Sequence, residues 1–362
     1  MSTFMLLMRI PRPACPLILL ASAVSLFAQT SPTTVSRTYR VEQTVTLSGI
    51  PAGSKDITCW LAIPGDDPHQ DLLDFSASVP GTWSIVREPD HGDRFLYFEV
   101  ASPSASALNA KVEFTLRRRS VSVDIDPSKV GPLTEAHRHL FAEELRQDAP
   151  HMKVTPVIAD LAARACGAAT NLAVEARLLQ NAVADGTVHY SRDPSKPKFS
   201  PGDAGSCLAH GGGTCTDIHS LFIALARSRG IPARLQMGYR LREANEGKKV
   251  DPGYRCWAEY FLPGYGWIPT DLVEAEDPKG LGRDAWFSGL TERRLWLDEG
   301  REFNLPGRAV TSHRVNTMVI GYAEIDGVEA RVLPEGGKPA QLSRTVLYTE
   351  IKPPEAALVA GN

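Results

Sequence analysis

The stretch "GGGTCTDIHSLFIALARSRGIPARL", residues 211–235, carries the strongest helix signal in the chain. Apolar residues recur at helical spacing from Ile218 to Leu225, and Gly230 and Pro232 prevent the helix from continuing. The helix is therefore predicted to begin near Cys215. Backbone N–H groups and the helix dipole at that end favour a thiolate and lower the pKa of a cysteine. The glycines before it let a substrate backbone come close.

Two interpretations of Cys215 stay open on this segment alone. As a nucleophile, its thiol needs a base close by and a third group that orients the base. Alternatively, Cys215 is a small buried residue at the start of a helix, as cysteines often are. Whether a base and an orienting group lie near Cys215 decides between these two interpretations.

A second stretch, "GYRCWAEYFLPGYGWIPTD" over residues 253–271, predicts two antiparallel strands around a turn at residues 263–266. The turn places Leu262 opposite Gly266 and Trp257 opposite Asp271. Side chains on one face of a strand recur every second residue. Arg255 is therefore expected diagonal to Asp271 on the same face, within reach of its carboxylate. A histidine at this position would complete a Cys–His–Asp triad.

These two stretches resemble the core of transglutaminase-like proteins, a branch of the papain-like thiol fold. The resemblance covers about residues 156–275 and rests on Cys-x-Asp opening the helix, "RSRGIPAR" closing it, Trp-x-Glu, Gly-Trp and a final Asp. It implies a thiol acyl-transfer site in which Cys215 is the nucleophile and Asp271 the orienting acid. It also implies an exported bacterial protein with an N-terminal β-sandwich ahead of the core.

One position departs from the family. Arg255 stands where the family has its catalytic histidine. Arginine stays protonated at ordinary pH, so it stabilises a thiolate but does not take and return a proton. The triad is incomplete, and catalysis is predicted to be impaired or lost.

Three other histidines are candidates for the missing base. His210, in the glycine loop just before the cysteine, is the predicted substitute. His219 lies on the same helix as Cys215 and is expected to pack or hydrogen-bond in the core. His189, in "VHYSR", lies on the preceding strand and is favoured no more than His219.

The hairpin also supplies the predicted binding residues Trp257, Glu259 and Trp267. As cleft residues they would contact a peptide and exclude water. Their alternative role is packing in the sheet. Asp271 is expected to pair directly with Arg255.

Cysteine usage leaves the disulfide pattern open. Removal of a leader leaves five cysteines, Cys59, Cys166, Cys207, Cys215 and Cys256. In an oxidising compartment an odd number leaves at least one thiol unpaired or joined to another chain. Cys207 could pair with Cys256, or either could pair with Cys215 and silence it. Neither a CxxC pair nor a zinc-type ligand spacing occurs, so no metal and no cofactor are expected.

Residues 1–28 are predicted to be a signal peptide. Arg9 and Arg12 precede the apolar run "PLILLASAVSLFA", which ends at Ala28. Export to the periplasm or outside the cell follows, with an uncleaved membrane anchor as the alternative. A net charge of −3 and a pI of about 6.3 make no case for nucleic acid or an anionic membrane as a partner.

The fold class predicted for the whole chain is α+β. Alternating apolar residues predict a β-sandwich over residues 36–126. Helical periodicity and the two stretches above place a transglutaminase-like core at residues 133–285. Returning strands, with a turn at Asp326-Gly327, place a small β extension at residues 286–352.

Two functions are consistent with this sequence. The first is a thiol hydrolase or acyl transferase acting on an amide or isopeptide bond of a peptide or protein, with Cys215 attacking. The second is a non-catalytic relative that binds peptides or proteins in the same cleft, with the Arg255 guanidinium holding a carboxylate.

Overall fold

The computed structural model describes residues 34–318 and 320–352. The strands are β1 (Ser36–Ser48), β2 (Asp56–Ala62), β3 (Gln70–Ser78), β4 (Thr82–Arg87), β5 (Arg94–Ala101), β6 (Ala107–Arg119), β7 (Val121–Ser122), β8 (Val188–His189), β9 (Gly212–Gly213), β10 (Ala233–Arg240), β11 (Arg255–Leu262), β12 (Gly266–Thr270), β13 (Gly289–Leu290), β14 (Arg294–Glu299), β15 (Tyr322–Ile325), β16 (Val328–Glu329) and β17 (Leu342–Ile351). The helices are α1 (Glu135–Leu140), α2 (Pro156–Cys166), α3 (Leu172–Gly186), α4 (Ala204–His210), α5 (Cys215–Ser228), α6 (Leu272–Ala275) and α7 (Arg283–Phe287).

Helix α5 lies at the centre of the mixed α/β core. Every residue from Cys215 to Arg227 is buried, because helices α2 and α3 and strands β10 and β11 pack around it. Thr214 and Asp217 form a capping box at its first turn. Gly230, at φ 74°, turns the chain after its end. The predicted start at Cys215 and the glycine stop are confirmed.

The predicted hairpin forms the edge of a four-stranded sheet in the order β12-β11-β10-β14. Leu262 pairs with Gly266 and Ala258 with Thr270, which confirms the register read from the turn. One face of β11 packs on α5, so this register carries the start of the strand and the end of β12 to the N-terminal end of the helix.

Two further sheets share a second hydrophobic core. One has the order β17-β1-β6-β3 and the other β16-β15-β2-β5-β4. Burial alternates along β1 and β6, as their sequences predict. Strands from both ends of the described chain build these sheets, since β17 pairs with β1 and β15 with β2. A β-sandwich made by residues 36–126 alone, and the domain boundaries, stay predictions.

The turn between β15 and β16 uses the two residues that the sequence indicated. Asp326 and Gly327 have φ angles of 50° and 73°, as a two-residue hairpin requires. The predicted signal peptide lies outside the described residues. Within the part of the chain that is described, no helix has the length and apolar character needed to cross a membrane.

Candidate active site

Cys215 is the first residue of α5 and is 4% exposed. The chain just before it forms β9, which pairs in parallel with β8 so that His189 lies beside Gly213. A Cβ atom on Gly212 would lie 2.0 Å from the Val188 carbonyl oxygen, and the φ of Gly212 is 136°. Only glycine fits there. The glycine run therefore allows a strand carrying a histidine to approach the cysteine.

The His189 imidazole forms a hydrogen bond with Sγ of Cys215. Its Nδ1 lies 2.7 Å from Ser191 Oγ and accepts the Ser191 backbone N–H at 3.3 Å. Nδ1 is therefore turned towards Ser191, and Nε2 is the ring nitrogen left to face the sulfur.

The Cys215 thiol is strongly acidified. A hydrogen bond from the Cys256 thiol lowers its pKa most; burial opposes this, and the His189 hydrogen bond, the Arg255 charge and the Cys256 backbone N–H lower it further. The net result is a pKa well below the ordinary thiol value. This shift favours the thiolate, which is the nucleophilic form of cysteine.

Arg255 lies close enough to act on Cys215 through its charge, but its direct partner is Glu274. The distance from Arg255 Nη2 to Glu274 Oε1 is 3.1 Å, and Arg255 is 9% exposed. Burial would lower the pKa of Arg255, yet Asp271 and Cys215 raise it. This guanidinium stays charged and stabilises the thiolate from within the protein.

Asp271 has a different partner from the predicted one. Its Oδ2 accepts from Arg294 Nη2 at 2.7 Å and Nε at 3.2 Å, while Arg255 acts on it at longer range. Burial would raise the pKa of Asp271, but Arg294 and Arg255 lower it to about 2. The predicted direct pair with Arg255 is corrected to a buried Arg294–Asp271 pair.

The charges around the site balance when the cysteine is ionised. Glu274 Oε1 accepts from three guanidinium groups, one of which also holds Asp271. Three cations face two carboxylates and one thiolate: Arg240, Arg255 and Arg294 against Asp271, Glu274 and Cys215. Arg240 is partly exposed to solvent, whereas Arg255 and Arg294 are buried, so the buried positive charge nearest the sulfur favours the ionised cysteine.

Two of the predicted histidines are engaged elsewhere. His219 has its Nδ1 2.8 Å from the Cys215 carbonyl oxygen, and its Nε2 accepts the Leu272 N–H at 3.0 Å. Burial lowers its pKa, so it is a neutral core histidine, as expected. His210 is exposed at the end of α4, and its Nδ1 lies 2.9 Å from the Ser206 carbonyl oxygen. The described contacts of Cys215 do not include His210.

The three predicted binding residues lie in the packing of the sheet. Trp257 is in the hydrophobic core. Glu259 accepts from Arg234 Nη2 at 2.8 Å, and the Arg234 guanidinium stacks over Trp267 at 4.0 Å. None of these described interactions involves Cys215. Their role in binding stays a prediction.

A cavity of about 470 Å³ adjoins the start of α5. Thr216 and Tyr254 line it, and their hydroxyl groups are 3.1 Å apart. Residues 313–317 and Val332 and Leu333, from the C-terminal part of the chain, form the opposite wall. The described residues contain no cluster of three or more His, Cys, Asp or Glu that could hold a metal ion.

Two site residues received too little weight in the prediction from sequence, His189 and Cys256. A signal for His189 existed: a histidine on a short strand is followed, one loop later, by three glycines directly before the cysteine. Glycine runs permit close parallel pairing of backbones. Side chains alternate between the two faces of a strand. If residue 255 is placed on one face of β11, Cys256 lies on the other face, which packs on α5.

This combination of a cysteine opening a central buried helix and an antiparallel hairpin beside it defines a papain-like, transglutaminase-like core. Residues 159–272 match the family model of the transglutaminase-like superfamily. These residues are therefore similar to the transglutaminase-like superfamily.

Known proteins resemble the chain well beyond that core. An uncharacterized protein of Haemophilus influenzae is 27% identical over 329 residues, covering 80% of this chain and 86% of that one. A protein from Cytophaga hutchinsonii, provisionally described as a cysteine protease, has a similar fold at a TM-score of 0.57 and 16% identity, covering 89% of this chain and 94% of the other. The periplasmic domain of TgpA from Pseudomonas aeruginosa matches at a TM-score of 0.30 and 17% identity, over 63% of this chain and 90% of that domain.

Proposed function

We propose that this protein is an exported thiol enzyme that cleaves or transfers the acyl group of an amide or isopeptide bond. Cys215 is the nucleophile, and His189 exchanges the proton in place of the histidine missing at position 255. The hydrogen bond between His189 and Cys215 Sγ carries the proposal. Export rests on the sequence of residues 1–28.

The first half of the reaction needs no base to ionise the nucleophile. The Cys215 thiolate attacks the carbonyl carbon, and the imidazolium form of His189 gives its Nε2 proton to the leaving amine, which leaves the imidazole neutral. Backbone N–H groups in the first turn of α5 stabilise the oxyanion. The products of this half are a thioester on Cys215, a free amine and a histidine able to accept a proton.

In the second half, His189 takes a proton from water or from an acceptor amine, which attacks the thioester and releases Cys215. Water gives hydrolysis and an amine gives transfer. The cavity lined by Thr216 and Tyr254, which begins one residue after Cys215, is the proposed substrate pocket. Ser191, a neutral residue, orients His189, so the imidazolium form lacks the carboxylate that a complete triad provides. We expect turnover to be slow but present.

The binding-only alternative depends on a guanidinium that is free to hold a carboxylate. Arg255 already donates to Glu274 and is nearly buried. The geometry therefore favours a thiolate-stabilising role over ligand capture.

The first test needs no substrate. The rate of Cys215 alkylation by iodoacetamide is measured against pH for the wild type, His189→Asn and His210→Asn. We expect His189→Asn to move the inflection to higher pH and to slow alkylation at pH 6 by about tenfold, since each pKa unit is a factor of ten in thiolate. His210→Asn is the matched control and should follow the wild type. Equal profiles for all three proteins would remove His189 from the site.

The second test uses fluorescein-labelled casein for hydrolysis and dansylcadaverine incorporation for transfer. Turnover should disappear in Cys215→Ala and fall about 10²–10⁴-fold in His189→Asn. It should persist in His210→Asn. Turnover that survives in Cys215→Ala would refute the proposed nucleophile.

A further inference from the structure

Cys256 is a buried thiol that the proposed reaction does not consume. Its thiol hydrogen-bonds Sγ of Cys215, and its backbone N–H points at the same sulfur. On its other sides the Cys256 sulfur lies 3.7 Å from Thr216 Oγ1 and 3.5 Å from His219 Nδ1. Strand β11 and the first turn of α5 thus hold two sulfur atoms in direct contact.

We propose that Cys215 and Cys256 form a reversible oxidation site, in which hydrogen peroxide converts the pair into a disulfide. An S–S bond of about 2 Å is shorter than a hydrogen bond between two thiols, so the sulfurs must move closer together at the helix start. As a modification site the pair stands on the placement of the Cys256 sulfur against the side chains of Thr216 and His219, in the first turns of α5. Its meaning as an off-switch rests on the proposed function, because the disulfide consumes the nucleophile.

The chemistry is balanced in two steps. The Cys215 thiolate attacks one peroxide oxygen, the O–O bond breaks, and hydroxide leaves, so that sulfur is oxidised to sulfenic acid and peroxide is reduced. The Cys256 sulfur then attacks the sulfenic sulfur. The S–O bond breaks, an S–S bond forms, and the departing hydroxide takes the Cys256 thiol proton to give water.

The first step requires an accessible, ionised cysteine and the second a protected thiol, and the two cysteines differ in exposure and in thiol pKa. Cys215 keeps 4% exposure and is ionised, whereas Cys256 is 0% exposed, and burial and the Cys215 charge raise the pKa of its thiol. Peroxide therefore oxidises Cys215 first, and Cys256 resolves the product. The resolving step also protects Cys215 from irreversible oxidation to sulfinic acid.

The remaining cysteines are not placed to compete. Cys207 is buried in α4, where burial raises the pKa of its thiol, and the Cys166 sulfur lies 4.0 Å from the Glu175 carbonyl oxygen. Cys59 lies in β2, within the other hydrophobic core. The structure therefore favours Cys215–Cys256 over the other pairings that the sequence left open.

Peptide mapping of the full chain after peroxide treatment tests the pairing directly. We expect a Cys215–Cys256 cross-linked peptide, a mass loss of about 2 Da, and loss of iodoacetamide labelling at Cys215 by about tenfold or more, all reversed by dithiothreitol. Cys166→Ser is the matched control and should behave as the wild type. In Cys256→Ser, dithiothreitol should no longer restore labelling, and Cys215 should gain about 32 Da as sulfinic acid.

Oxidation of Cys215 without a cross-link to Cys256 in the wild type would overturn the proposal, even if the Cys256→Ser variant failed to fold. A cross-link in a protein that shows no turnover would support the pairing and contradict the proposed enzymatic function. The two failures are therefore distinguishable.

Discussion

Cys256, His189 and Arg255 together lower the Cys215 pKa in a site that lacks the family's histidine at position 255. The arginine supplies a fixed positive charge, and in the proposed reaction the histidine exchanges the proton. A single histidine performs both tasks in a complete triad. Here the two tasks lie on different strands, β11 and β8.

Replacing Arg255 by glutamine should weaken the thiolate. Loss of the cation raises the Cys215 pKa, so below neutral pH the thiolate fraction and the alkylation rate should fall, by about threefold to tenfold at pH 6. The pH dependence of iodoacetamide alkylation measures this. Arg177→Gln, which loses an exposed ion pair with Asp284, serves as the control and should leave the profile unchanged. An unchanged profile for Arg255→Gln would show that its charge does not act on the sulfur.

Strands β8 and β9 are short, yet their pairing places His189 beside Gly213. Gly212 and Gly213 are the only residues of β9, and each is in a backbone conformation that favours glycine. The closeness of this pairing brings His189 beside α5.

Gly212→Ala should therefore separate the two strands. The added Cβ would meet the Val188 carbonyl oxygen at 2.0 Å and the Val188 nitrogen at 2.7 Å, so the strands must move apart. We expect a loss of about 2–4 kcal/mol in the free energy of unfolding, and slower Cys215 alkylation as His189 moves away. Urea unfolding and iodoacetamide kinetics measure the two effects.

Gly186→Ala is the matched control for that change. Nothing lies within 4 Å of its added Cβ, and the residue ends α3 in an ordinary helical conformation. It should be neutral or slightly stabilising. A Gly212→Ala protein as stable and as reactive as this control would contradict the role given to the β8–β9 pairing.

At the scale of the molecule, the chain buries acids as well as apolar residues. Asp298 is 0% exposed in β14, and neither of its oxygens has a hydrogen-bond partner within the described residues. Burial raises its pKa to about 7, with a small opposing effect of His91. Asp93, which precedes β5, also has a raised pKa, through burial and the charge of Asp298.

Stability should therefore decrease as pH rises through the window between the ordinary aspartate pKa and about 7. In that window the folded protein holds a proton on Asp298 that the unfolded chain has lost, so raising the pH favours unfolding. Asp298→Asn removes this titrating group. The decrease in the free energy of unfolding between pH 5 and pH 8 should therefore be about 2–4 kcal/mol smaller in the variant than in the wild type. Urea unfolding at the two pH values measures the difference.

Asp284→Asn changes an exposed carboxylate and is the control for this comparison. It should retain the pH dependence of the wild type. If Asp298→Asn retained it as well, the buried proton would not be on Asp298.

Local patterns predicted much of the core. The cap and apolar spacing of α5, the turn of the β11–β12 hairpin and the Asp326-Gly327 turn are all properties of consecutive residues, and each was located correctly. Packing between distant segments was harder. The sequence did not indicate that β17 would lie beside β1, because strand alternation describes a face and not a neighbour.

The amino-acid sequence was sufficient to identify Cys215 as the first residue of a central helix and Arg255 as the departure from a triad. Periodicity, caps and turn residues act over a few residues, so they can be read directly. The identity of the histidine at the sulfur, the Arg294 partner of Asp271 and the contact between Cys215 and Cys256 came from the three-dimensional structure. Each depends on the distance between segments far apart in the chain, which is set by the packing of sheets and helices and not by any local pattern.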